Sequence, residues 1–127
     1  MALKETQRKI VQEAIEERRR FRRVRLSRRG RVFIPATSEQ VQCTLEDISA
    51  GGARALCRFK QQPAGYAVIY LDGLGRFEGV ITAVGRDRFA MTFTCSRQKK
   101  QMLTDQLTVE LNRQVLESHS EAARHVA

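Results

Sequence analysis

"VQCTLEDISAGGARALC", residues 41–57, decides the architecture. Val41, Cys43 and Leu45 alternate with Gln42, Thr44 and Glu46, the period-two pattern of a strand with one dry and one wet face. "SAGG", 49–52, interrupts the alternation and "ARALC" resumes it, which predicts two strands joined by a tight turn.

Outward from this stretch the same punctuation repeats. Upstream, Val24 and Leu26 flank Arg25, "RVFIPA" is a short β-rich run ended by Pro35, and "TSEQ" is a turn. Downstream, "QQPAG" reads as a loop, "YAVIYL" as a strand, and "DGLG", 72–75, as a glycine turn into "RFEGVITAV". After "GRD", Phe89, Met91, Phe93 and Cys95 alternate cleanly. The count is about six short strands, the signature of an antiparallel barrel or sandwich.

Both ends differ from this middle. Residues 3–17 read as a helix with a narrow apolar stripe, Leu3, Ile10, Val11, Ala14 and Ile15, too thin to be stable without something to pack on. From Ser96, a suitable N-cap, Leu103, Leu107, Leu111 and Val115 recur every four residues on one helical face. Residues 1–16 therefore form a helical extension, 17–117 the folded domain, and 118–127 a flexible tail. A chain of 127 residues, 42% apolar, has enough material for one modest core.

Charge is distributed unevenly. The net charge is +9, and residues 1–31 hold twelve Lys and Arg against four Glu. The remainder holds eleven against ten, so basicity is a local device. It concentrates in "ERRRFRRVRLSRRGR", 17–31, with nine arginines and one acid. Like charges repel, so such a run implies an anionic partner: nucleic acid, nucleotide or an acidic membrane surface. Nothing marks a signal peptide, and no apolar run approaches the ~18 residues needed to span a bilayer. A cytoplasmic location is expected, with Cys43, Cys57 and Cys95 as free thiols.

Several chemistries lack their parts. "DGLG" has no P-loop lysine or hydroxyl and separates two strands instead of opening a helix. His119 and His125 have no second ligand cluster, so no metal is expected. Ser49 has no candidate base nearby in sequence, so no catalytic set can be assembled and no enzyme is expected.

Two motifs remain. "R-x-x-x-R" at Arg19 and Arg23 precedes the first strand, and "D-x-S-x-x-G" at Asp47, Ser49 and Gly52 lies between the second and third. In this order and on these elements the pair resembles the PilZ domain family, receptors for cyclic di-GMP, over roughly residues 17–117. The resemblance implies a mainly β, six-stranded antiparallel barrel with a C-terminal helix, cyclic di-GMP as ligand, no cofactor, and signalling through an effector protein. The ligand residues it implies are Arg18, Arg19, Arg23, Asp47, Ser49 and Gly52, with Arg20, Arg22 and Gly51 as possible additions. An arginine at 18, just before the first motif, implies an intercalated ligand dimer.

The chemistry agrees with that implication. A guanidinium fork matches the adjacent O6 and N7 acceptors of guanine bidentately and also grips phosphate, which a lysine cannot do with the same planarity. The N1–H and N2–H donors on guanine's other edge call for acceptors such as Asp47 and Ser49. Ile48, between them, is expected to point into the barrel, and Gly52 to spare the turn a Cβ. The alternative is a small nucleic-acid-binding barrel with a basic N-terminal arm. The chain could be a monomer, or a homodimer paired through either terminal helix.

Overall fold

The computed structural model describes residues 23–126, with side chains through Ser118. The helix expected over 3–17 and Arg18, Arg19, Arg20 and Arg22 lie outside the described residues. Six strands follow one another: β1 (Val24–Ile34), β2 (Glu39–Ser49), β3 (Gly52–Leu56), β4 (Tyr66–Leu71), β5 (Gly75–Val84) and β6 (Arg88–Phe93). All pair antiparallel in the closed order β1-β2-β3-β6-β5-β4, with β4 returning to β1. One helix, α1 (Arg97–Val126), completes the described fold. It runs past residue 117, where the sequence reading ended the packed domain.

Alternation builds the barrel as the sequence predicts. Val32, Ile34, Cys43, Leu45, Ile69, Phe89, Met91 and Phe93 point inward and are buried. Phe77 stacks on Phe93 with ring centroids 5.0 Å apart. At the other end of the core, Phe59 meets Phe89 edge-on at 5.4 Å.

β1 is longer than the sequence suggested. The arginine-rich "SRRGR" lies mid-strand, because Val24, Leu26 and Val32 stay on the inner parity while Arg25, Arg29 and Arg31 face water. Two bulges matter for the site. One falls between Arg25 and Arg28 in the β1–β2 ladder, the other between Leu45 and Asp47 in the β2–β3 ladder. The second bulge separates Leu45 from Ile48, both fully inside, so that Glu46 and Asp47 both look outward. Unbroken alternation from Cys43 and Leu45 would have turned Asp47 into the core.

Ser96 caps α1 as expected: its Oγ accepts the Lys99 N–H at 3.2 Å, and its carbonyl accepts the Lys100 N–H at 3.0 Å. Leu103 and Leu107 are buried under the barrel, each contributing about 1.5–3 kcal/mol. Leu111 is half-buried and Val115 is 48% exposed, so the leucine stripe leaves the barrel as the helix proceeds.

All three cysteines are free. Burial pushes the Cys43 thiol up to about 11 and the Cys57 thiol to about 12, with Cys43 and Glu39 adding to the latter. The thiolate is the reactive form, so neutral-pH alkylation of the native protein at Cys43 and Cys57 is expected to be slow. In urea both should react at the rate of ordinary thiols; equal native and unfolded rates would contradict this burial. Because both values are raised, their contribution to stability is full below the ordinary value of 9.0 and is lost as pH rises through 11 to 12.

Candidate functional site

Arg23, the last residue of the first motif, meets the second motif at the end of the barrel where β1 begins and β2 ends. Arg25 of β1 lies directly opposite Asp47 of β2, which lies opposite Arg54 of β3. One step before β1, Arg23 Nη1 donates to Asp47 Oδ1 at 2.6 Å, across 24 residues of sequence. Arg54 Nη1 lies 3.9 Å from the other carboxylate oxygen, Oδ2. Asp47 thus sits between two guanidinium groups, with its side chain 17% exposed.

A charge-assisted hydrogen bond of this kind contributes about 1.5–3 kcal/mol when desolvated, and less here because Arg23 is partly in water. That is enough to seat the first described residue of the arginine segment on β2. It is also weak enough to be exchanged for a ligand that offers both acceptors and donors.

The second motif continues into a clasp. Ser49 is buried, and its Oγ accepts the Gly51 N–H at 3.1 Å, which shapes the turn. The Gly51 carbonyl accepts the Phe93 N–H at 2.9 Å. A Cβ on Gly52 would stand closer than 3.0 Å to the Met91 carbonyl oxygen of β6. Gly52 is therefore required less by the turn itself than by the close approach of β3 to β6. Ile48 is fully buried, as its place between Asp47 and Ser49 predicted.

Of the sequence-predicted residues, the structure brings Arg23 and Asp47 into contact and places Ser49, Gly51 and Gly52 beside them. The sequence reading missed Arg54. Its position in "ARALC", between two inward alanines, marks it as outward-facing, but only the β2–β3 register sets it against Asp47. A further tie was invisible in sequence: Gln114 Nε2 of α1 donates to the Arg25 carbonyl at 3.0 Å.

The PilZ domain family model matches residues 17–109, which include both motifs and all six strands. The chain belongs to the PilZ domain family. Solved PilZ domains share its fold at low identity. The PilZ domain of CeSA from a cellulose-synthesizing bacterium has a TM-score of 0.57 at 22% identity, covering 72% of this chain and 98% of that one. The PilZ domain of YcgR from Escherichia coli, solved with c-di-GMP, has a TM-score of 0.63 at 17% identity, covering 81% and 98%. The K. pneumonia MrkH–c-di-GMP complex has a TM-score of 0.58 at 19% identity, covering 82% and 55%. No curated protein matches the sequence. In this PilZ domain Arg23 of the first motif is bonded to Asp47 of the second.

Proposed function

We propose that this PilZ domain is a cyclic di-GMP receptor that signals to an effector protein. The observation that carries the reading is the 2.6 Å contact between Arg23 and Asp47, which joins the arginine segment to the acidic end of β2. Arg18, Arg19 and Arg23 supply forks for phosphate and for the O6/N7 edge of guanine, with Arg20 and Arg22 as further candidates. Asp47 accepts from the opposite guanine edge, and Ser49, Gly51 and Gly52 form the adjoining floor. The ligand is an intercalated dimer, and the domain that binds it is residues 17–117, beyond which α1 continues to Val126.

In mechanism this is an order–disorder switch. The arginines at 18, 19, 20 and 22 carry like charge, and the phosphates and guanine edges neutralise them and hold the segment against β2 beside the Arg23–Asp47 pair. The nucleic-acid alternative loses ground because Phe89 and Phe93, which share one alternating face, are buried core and offer bases no stacking platform.

Calorimetric titration with cyclic di-GMP, and GTP as control, tests the receptor assignment. A ligand pair per chain and no response to GTP are expected, with amide exchange slowing over residues 17–25. Equal heats from the two nucleotides would refute the assignment. Binding without that protection would refute the switch.

A further inference from the structure

The Arg23–Asp47 site accounts for only part of the arginine run. On β1, Arg28 turns to α1, where its Nη2 lies 3.8 Å from Glu110 Oε2, a carboxylate that also pairs with Arg113. Arg29 and Arg31 go elsewhere. They stand on the outer face of the barrel in a groove of about 620 Å³, where β1 runs between β2 and β4. Arg76 of β5, Tyr70 of β4 and Leu56 of β3 complete the walls, with Asp72 also among the lining residues.

Charge in this groove is unbalanced. Arg76 is held by Glu78 at 2.6 Å, but neither Arg29 nor Arg31 has an ion-pair partner among the described residues. Two residues apart on one strand, their Cα atoms are about 7 Å from each other, within a Debye length at physiological salt. Arg31 is oriented, its guanidinium carbon 5.0 Å from the centre of the Tyr70 ring. Leu56, 38% exposed, offers apolar surface beside the charges.

An extended peptide repeats its same-side side chains at the same spacing of about 7 Å. Acids at alternate positions could therefore meet Arg29 and Arg31 together, while Leu56, level with Arg29 across β2, offers apolar contact to one flank of the peptide. A nucleic-acid strand fits less well. It wants an open aromatic face for its bases, and Arg31 lies over the face of Tyr70.

We infer that the Arg29–Arg31 groove docks an extended acidic segment of a protein partner. It shares no lining residue with Arg23, Asp47 and Arg54, so the inference does not rest on the cyclic di-GMP reading.

The test is fluorescence anisotropy with a short labelled peptide alternating Glu with Leu and Ser, against the same peptide with Gln for Glu, and against oligothymidylate. The acidic peptide is expected to bind the parent and the Gln peptide not to. Arg29→Glu/Arg31→Glu should weaken binding by at least ~10-fold, the loss expected from two guanidinium–carboxylate hydrogen bonds. A charge-matched variant on exposed residues elsewhere, Arg86→Glu/Arg97→Glu, should leave it within about twofold, as expected if the contacts and not the overall field hold the peptide.

Equal losses in the two variants would mean diffuse attraction and overturn the inference. So would tighter binding of oligothymidylate, or no binding of the acidic peptide. Thermal melting of each variant confirms that the barrel is intact. Cyclic di-GMP calorimetry on Arg29→Glu/Arg31→Glu, expected to match the parent, separates failure of the groove from failure of the nucleotide site.

Discussion

Asp47→Ala is expected to weaken cyclic di-GMP binding by about 100-fold while leaving the barrel folded. The affinity estimate is about 2.7 kcal/mol: loss of a charge-assisted hydrogen bond to ligand, plus loss of the carboxylate that fixes Arg23. Its 2.6 Å bond to Arg23 and its 3.9 Å approach to Arg54 mean that removal leaves two guanidinium groups without their acid. The bond is near the surface, so stability should fall by only about 1 kcal/mol. Arg23→Ala should cost a similar loss of affinity, and the double variant should lose less than the sum, since the two side chains act through one contact. Calorimetry on the three variants checks this. A dissociation constant for Asp47→Ala within a few-fold of the parent would remove the basis of the site.

Gly52→Ala and Gly79→Ala are each expected to destabilise the fold by about 3 kcal/mol or more. These two glycines flank β6 from opposite sides, Gly52 opposite Thr92 and Gly79 opposite Phe93. A Cβ at Gly52 would collide with the Met91 carbonyl, and one at Gly79 with the Thr92 carbonyl. Both obstacles are backbone, so no side chain can swing away. Gly73→Ala is the comparison. Gly73 has a φ of 79° with open space around it, so alanine there costs only the left-handed backbone penalty, about 1–2 kcal/mol. Melting temperatures should rank Gly73→Ala above the other two by roughly 10 °C, at about 4–8 °C per kcal/mol for a domain of this size. The opposite ranking would mean that β3, β6 and β5 do not lie as closely as described.

Strand count and inner residues were legible because Val41, Cys43 and Leu45, or Phe89, Met91 and Phe93, repeat with period two, and burial follows that period directly. The leucines of α1 were legible for the same reason at period four. What alternation cannot carry is register. The bulge between Leu45 and Asp47, which turns the carboxylate outward, has no mark in the residues themselves, since any of several positions could absorb the extra residue. Arg54 escaped notice on the same ground, because its partner is fixed by β2–β3 pairing and not by distance along the chain. Gly52 was recognised, but for the turn. The collision it avoids involves β6, which lies forty residues on in sequence (Gly52 opposite Thr92) and enters only once the barrel closes. Arg29 and Arg31 belong to the arginine run but to neither motif, and a groove between β1, β2 and β4 has no linear signature.

Every strand of the described barrel has a neighbour on each side, β4 meeting β1 to complete the circuit. Where ladders overlap, the main-chain amides and carbonyls are committed on both sides, but Glu39–Cys43 of β2 pairs on the β1 side alone, because its ladder with β3 covers only Thr44–Ser49. α1 offers a separate surface, its far half carrying Val115 and Leu116 in water. Because Gln114 on that half grips the Arg25 carbonyl, movement at the mouth of β1 would be felt first by the helix.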